Sequence, residues 1–481
     1  MPPAHPRVTR ISSPTDLERY IEAEPTPTSR MRWIWVLSLG GVLFESYGSL
    51  SLSIGIPSMS AELALSPLQI GIVAAASLVV TIVLGPAAGR MADRHGRVPM
   101  LIAAKILALA SVLICAFAPT FTVLVGGRLI AGLAWAIDFA VIMAYLSEFL
   151  SSRHKGKISR WQGFWYVAAT ANALLVYVLL NFGIGPDIWR WSLGSGAVIA
   201  AILCVLQLRY LVESPRWLAS RGRLGEAVES LNTVYAVPAV HEPASNHSQS
   251  PHTTASGSMA ELFRDPYRRR TLLAMGTFFS NGIQYFGIAW YLPAIIAQVL
   301  GNSPSSGALG TAAFNAFGIV GGFAAASLAL RLRIRRAMSW GFGGVSLLLV
   351  VFAFLVGSAP MPVVLGVLSL FILVHSALAS AGGMSIAASA YPSRLRAVGV
   401  GFTSLAGSTG AAIGAFVFPF FMGTFGPAAA VLVLTVVPAL ATLLTLVIRF
   451  DPERSPDPDH VESNHGGLSD KDSVAAIASE K

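Results

Sequence analysis

The sequence predicts an all-α membrane protein with about twelve transmembrane helices, arranged as two pseudo-symmetric bundles of about six helices each. Three observations carry this. Hydrophobic residues make up 54% of the chain and charged residues 12%, against roughly 25% charged in a soluble domain, and the mean hydropathy is +0.65. Apolar runs recur at the length of roughly 20 residues that a helix needs to cross the bilayer core. Arginine and lysine fall in alternate connections between those runs, the asymmetry that keeps positive loops in the cytoplasm.

Residues 1–32 read as a polar cytoplasmic segment, followed by an N-terminal bundle over 33–212. Its spans run near Trp33–Ile56, Leu68–Met91, Val98–Ala118, Phe121–Ser147, Trp161–Phe182 and Trp189–Leu211. The longest polar interruption is 213–270, a cytoplasmic loop. It opens with Leu218, Leu224, Ala227, Val228 and Leu231 at the spacing of a surface helix, and Ala236–Ser258 continues it as a flexible linker rich in Pro, Ser and His. The C-terminal bundle, 271–449, has spans near Thr271–Leu300, Ser306–Leu330, Ala337–Ser358, Pro362–Ser385, Val398–Met422 and Pro427–Ile448. Residues 450–481 are polar and mostly acidic and read as a disordered cytoplasmic tail. The polar segment ahead of the first span, and the length of that span, do not fit a cleavable signal peptide.

Arg30 and Arg32, Arg90–Arg97, Arg153–Arg160, Arg209–Arg270, Arg331–Arg336, and Arg394 with Arg396 share one side, whereas the opposite connections contain only Arg190. Both termini are therefore expected in the cytoplasm of a multi-pass cell-membrane protein. The formal net charge of +9 is spread over loops and forms no basic nucleic-acid patch. Cys115 and Cys204 lie inside apolar spans, which favours packing over a disulfide. His241, His247 and His252 are irregularly spaced and lack partner cysteines, so no metal site is expected. With no Walker A loop and no recurring nucleophile, base and acid, neither a cofactor nor an enzymatic activity is expected. The expected partners are the lipid bilayer, a small-molecule substrate and protons, and the expected state is a monomer.

An ionisable group at mid-bilayer costs roughly 2.5–3.5 kcal/mol on insertion scales, so it faces a cavity or a partner. Glu45 lies about 13 residues beyond Arg32, about 20 Å along a helix and close to the membrane centre; Asp138 is similarly deep in span four. Both are candidates for proton coupling, the alternative being hydrogen bonds to neighbouring helices or a pair with Arg128. Arg128, with Trp135 on the same face, can hold an anionic substrate or neutralise a carboxylate, whereas Lys105, near the cytoplasmic end of span three, reads as snorkelling. In span seven Asn281, Gln284, Tyr285 and Ile288 form one polar and aromatic face suited to a substrate cavity. Trp290 and Tyr291 lie nearer the outer boundary, where substrate contact and an interfacial aromatic belt both fit. His375, deep in span ten, can titrate with transport or bond between helices, and Asn315 lies in span eight.

Four charged motifs stand at span boundaries. They are GPAAGRMADRHGR (Gly85–Arg97); Arg128 and Gly132 leading to Asp138, Glu148, Lys155 and Gly156; ESPRW (Glu213–Trp217); and YPSRLR (Tyr391–Arg396). A degenerate copy of the first, GFAAASLALRLRIRR (Gly322–Arg336), follows span eight, with Leu330 in place of Asp93 and Arg333 in place of Gly96. In this order the motifs resemble those of major facilitator superfamily transporters over nearly the whole chain. LFESYGSL, AIDFAVIMAYLSEF and Gln162-Gly163-Phe164 are similar to segments of the metabolite:proton symporters beside the sugar porters. The resemblance implies a secondary transporter working by alternating access, with Gln162 among the substrate contacts. It also implies a cytoplasmic gate of Gly85, Gly89, Asp93, Arg94, Gly96, Arg97, Glu148, Lys155, Glu213, Arg216, Arg394 and Arg396, paired when the cavity faces outward.

Departures narrow the cargo. Gly287 stands where a phosphate carrier has an acid, and Ser408 stands where aromatic-acid carriers have arginine. The paired glutamines of many sugar porters are reduced to Gln284. Sugar-like, aromatic and small organic-acid solutes stay open, as do proton symport, proton-antiport efflux and a non-transporting sensor. Replacing Asp93 with Asn is expected to impair solute uptake while leaving membrane insertion intact, measured by labelled uptake against surface expression; normal uptake removes Asp93 from the gate.

Overall fold

In lipid a backbone must satisfy its polar groups internally, which restricts a spanning chain of this composition to helices. The computed structural model describes residues 9–150, 161–242, 259–299, 304–380, 382–383, 386–387, 390–391 and 393–450. Lys155, His247, His252 and the tail beyond residue 450 lie outside them.

A small sheet and helix precede the first span. β1 (Thr9–Ile11) pairs in parallel with β2 (Ala239–His241), so the front of the expected Ala236–Ser258 linker is a strand held by the N-terminal segment. α1 (Pro14–Glu22) starts at Ser13, whose hydroxyl accepts the Asp16 amide. The Ser13 and Ser12 hydroxyls donate to Asp16 and hold its carboxyl below the usual carboxylate range. Leu17, Tyr20 and Ile21, spaced along one face, are buried.

The N-terminal half contains α2 (Ser29–Glu62), α3 (Pro67–His95), α4 (Arg97–Ala116), α5 (Phe121–Glu148), α6 (Trp161–Asn181) and α7 (Ile188–Tyr210). The expected surface helix is two helices, α8 (Pro215–Ser220) and α9 (Leu224–Val234), with Leu218, Ala227, Val228 and Leu231 turned inward.

Span seven is broken. α10 (Tyr267–Gln284) passes through a wide turn at Tyr285–Ala289, where the Trp290 amide donates to the Tyr285 carbonyl five residues back, and then into α11 (Leu292–Val299). α12 (Pro304–Leu332), α13 (Ile334–Leu355) and α14 (Met361–Val374) follow. A second wide turn at His375–Ala379, closed by Ser380 N–H on the His375 carbonyl, extends span ten. α15 (Ser393–Val447) bends at Gly426, where φ is +80°, so one continuous element supplies spans eleven and twelve. Among the described residues ten helices are long and apolar enough to cross a membrane. Counting broken span seven and the two arms of α15 separately accounts for the twelve expected.

The halves meet along α6 with α12 and α3 with α15, and α2 touches α11. At this last contact the Trp290 indole donates to the Ser49 carbonyl at 2.6 Å, and Ser53 donates to the Trp290 carbonyl. Trp290 and Tyr291 are therefore packed between helices, not set in an interfacial belt, and the Tyr291 hydroxyl is used on the Ala415 carbonyl at 2.7 Å.

At the end of the N-terminal half opposite the termini, fully buried Trp189 donates to Glu62 at 2.6 Å. Arg190 pairs with the same carboxylate at 2.6 Å and lies over the Trp189 ring at 4.2 Å. Replacing Trp189 with Ala is expected to cost about 3–5 kcal/mol through the cavity left behind; Trp189→Phe keeps most of the packing and loses one hydrogen bond, about 1 kcal/mol. Thermal unfolding in detergent checks the order, and equal losses would show that the bond, not the packing, matters.

Candidate functional site between the two halves

The two wide turns bring spans seven and ten together. A turn closed over five residues carries one extra residue and rotates everything after it, so the expected face of span seven splits. Gln284 and Tyr285 turn toward span ten, while Ile288 is buried in the core. Gln284 donates to the Ser280 carbonyl at 2.9 Å, and its side-chain oxygen lies 3.3 Å from His375 Nδ1. The Tyr285 ring stacks on His375, centroids 5.9 Å apart. His375 is thus a bridge between helices. Asn281 is half-buried, and its side-chain oxygen is enclosed without a hydrogen-bond partner among the described residues.

The N-terminal half answers with aromatic rings. Trp165 Nε1 donates to the Tyr285 hydroxyl at 2.6 Å. Trp135 lies 6.3 Å from Trp165 and 6.2 Å from Phe286, and Trp161 stands edge-on to Trp165. Gln162 spans the halves differently, exchanging two 3.2 Å hydrogen bonds with Ser380. Beside it the backbone of Gly163 packs on Gly322, the first residue of the degenerate charged repeat. Of the aromatic array the sequence reading names Trp135 and Tyr285 and misses Trp165 and Phe286; Trp161, Trp165 and Tyr166 recur at helical spacing in span five, a signal that ordinary core packing also produces.

Behind Trp135 the N-terminal half has a partly open cavity of about 40 Å³, mostly apolar, into which Glu45, Ser49, Ser77, Ser111 and Arg128 bring polar groups. That is space for about two or three waters beside those groups. Arg128 donates to Ser77 Oγ at 2.6 Å and to the Val73 carbonyl at 3.3 Å, so it braces α3 against α5. Asp138 does not pair with Arg128. Its partner is Lys105, and both side chains are 0% exposed. Lys105 therefore does not snorkel: its ammonium turns inward to the only class of group that offsets its burial, an opposite charge. Among the described residues Glu45 has no ion-pair partner, although Lys105, Asp138 and Arg128 all act on it electrostatically.

Near the termini, ESPRW ties three helix ends together. Helix starts leave amides unpaired and helix ends leave carbonyls unpaired. Gly96, at φ +106°, offers α4 no side-chain cap, and Glu213 supplies one by accepting the Arg97 amide at 2.9 Å and the Val98 amide at 3.2 Å. A carboxylate there also meets the positive end of the helix dipole. Arg216 donates to the Ser147 and Leu150 carbonyls at the end of α5, and Trp217 donates to the Asp93 carbonyl at 2.8 Å.

Arg97 pairs with Glu148 at 2.8 Å and with Asp93 at 2.7 Å; the Glu148 pair is the shielded one, since Asp93 is largely exposed. Arg216 leaves this network for Glu18 and Glu22 of α1, a correction to its expected grouping with Asp93. Arg94 is exposed, and the side chains of Arg394 and Arg396 lie outside the described residues. Gly85 and Gly89 face open space, whereas farther along α3 Gly71 packs on Phe416 of α15. Every described partner of Arg97 and Glu148 belongs to the N-terminal half.

Known proteins show the same plan. The chain is 26% identical to the probable metabolite transport protein CsbC of Bacillus subtilis, over 83% of this chain and 87% of that one. It is 24% identical to the arabinose-proton symporter of the same organism, over 72% and 75% of the two chains. The partially occluded inward-open structure of the xylose transporter XylE from E. coli superposes with a TM-score of 0.72, at 18% identity, covering 89% of this chain and 100% of that one. At that identity the superposition establishes the fold. The Major Facilitator Superfamily profile matches residues 38–380, well over half of the chain. With its paired helical halves and the site between them, the protein belongs to the Major Facilitator Superfamily.

Proposed function

We propose that the protein is a secondary active transporter that carries a small organic solute across the cell membrane together with a proton, with both termini in the cytoplasm. The observation that carries this reading is the contiguity of two sites through one side chain. Trp135 lines the Glu45 cavity on one side and touches the aromatic array on the other. A carboxylate in a small, mostly apolar cavity with a few polar neighbours is suited to take up and release a proton. The ring faces of Trp135, Trp161, Trp165, Tyr285 and Phe286 are suited to a planar aromatic solute or to the apolar face of a sugar, with Gln162, Gln284 and Asn281 as hydrogen-bonding groups. Arg128 is committed to α3 and Lys105 to Asp138, so a carboxylate clamp is not part of the reading. Symport is favoured over efflux by the relatives, one of which is named a proton symporter.

Glu45→Gln is expected to abolish accumulation of labelled solute driven by a pH gradient in proteoliposomes, while solute exchange without a gradient continues. The probes are a panel of pentoses, hexoses and aromatic acids. Gradient-driven accumulation equal to that of the unaltered protein overturns the role of Glu45. Accumulation only under the opposite gradient makes the protein an exporter, and binding without flux makes it a sensor.

A further inference from the structure

The Lys105–Asp138 pair needs a reason to exist. Both side chains are completely buried, and such a pair is commonly replaced by apolar residues with no loss of stability, because desolvation offsets the attraction. It is also incompletely satisfied, since Asp138 Oδ1 is enclosed without a hydrogen-bond partner among the described residues. The helix that carries Glu45 is built to lie against it. α2 crosses the pair at Gly41, where a methyl group would stand 2.9 Å from Asp138 Oδ2 and 3.3 Å from Lys105 Nζ. One turn on, the Phe44 ring lies 5.3 Å from the Lys105 ammonium, and the next residue is Glu45. The pair also sits one turn beyond Ala108 of α4 and Ala134 of α5, both of which line the Glu45 cavity. It therefore lies one turn beneath that cavity, behind residues that line it.

We propose that Lys105 and Asp138 are positioning residues for proton exchange at Glu45: a fixed, oriented charge pair beneath the cavity that sets the pH range in which Glu45 takes up and releases its proton. The inference rests on the reading of Glu45 as the proton-carrying group. Lys105 and Asp138 carry opposite charges and so act on Glu45 in opposite senses, with the Lys105 ammonium 5.3 Å from the ring of Phe44, the residue next to Glu45. The groups facing Glu45 are Lys105 and Cys115 from α4 and Arg128 and Asp138 from α5. The charges of α3 and α7 lie toward their ends, at Arg90–His95 and at Arg190 and Arg209, and α6 and α11 carry none among the described residues. Arg128, the other charge beside the cavity, is held by Ser77 and the Val73 carbonyl.

The signs follow from Coulomb's law. Uptake by symport needs Glu45 protonated on the loading side, so uptake falls as pH rises through the point where Glu45 releases its proton. Lys105→Met removes a positive charge and leaves Asp138 opposed by nothing, so the proton is held to higher pH. Asp138→Asn leaves the ammonium unopposed, so the proton is lost at lower pH. The alkaline limb of the uptake profile is expected to move up by about one pH unit in the first variant and down by a similar amount in the second. The combined neutral variant is expected to lie between them.

If a single variant does not reach the membrane, the exchanged pair, Lys105→Asp with Asp138→Lys, keeps the buried charge balanced. It puts a carboxylate on the side from which Lys105 acts, so its limb is expected to move up. Limbs that stay in place while only the amplitude falls overturn the inference and leave the pair as a helix-packing device. Glu45→Gln separates the two levels of reading. If it still accumulates solute against a gradient, the proton role of Glu45 fails; if it does not, and the limbs of the pair variants stay still, only the present inference fails.

Discussion

A charge in a low-dielectric bundle has to be met by another charge, by hydrogen bonds or by water, and the N-terminal half is organised by that requirement. Glu45, Lys105, Arg128 and Asp138 all lie within it, and each is met in a different way. Lys105 and Asp138 meet each other. Arg128 is met by a hydroxyl and a carbonyl of α3, and Glu45 by a small cavity with room for water. The C-terminal half carries no comparable set among the described residues; its deep polar contact is the bond between Gln284 and His375. A division of labour follows, in which one half holds the charges and the other presents wide turns and rings to the interface.

The same requirement operates at the helix ends. Amides and carbonyls left over at the ends of α3, α4 and α5 are collected by Trp217, Glu213 and Arg216 within five residues of sequence. Arg97, Glu148 and Asp93 surround that staple. The staple's contacts join the helix ends of the N-terminal half to the loop that follows it. The halves touch along α6 with α12 and α3 with α15, the kind of surface over which alternating access moves one half against the other. The docking of α1 on Arg216 through Glu18 and Glu22 joins the N-terminal segment to the same staple.

Much of this was legible in the chain. Hydropathy located the spans because a lipid-facing helix must be apolar along its whole length, and the charged loops marked the side on which the staple forms. Glu45 and Asp138 stood out because carboxylates are rare at that depth. Lys105 was misread because its distance from the loop fits snorkelling, and only the neighbouring helix decides whether a long side chain turns outward or inward. Tyr291 stayed open between a belt and a substrate contact because an aromatic residue near a span end fits either, and only the packed structure shows its hydroxyl used on the Ala415 carbonyl. Ile288 was placed on the wrong face because a uniform helical period does not register the extra residue in the turn at Tyr285–Ala289.

Span number, the division into halves and the deep ionisable residues are properties of one-dimensional pattern, since each depends on hydropathy and charge along a single segment. The pairing of Lys105 with Asp138, the capping of α4 by Glu213 from across 116 residues, and the meeting of Trp165 with Tyr285 belong to the packed molecule. They join segments distant in the chain, and their energies arise only where packing has excluded water and fixed the geometry.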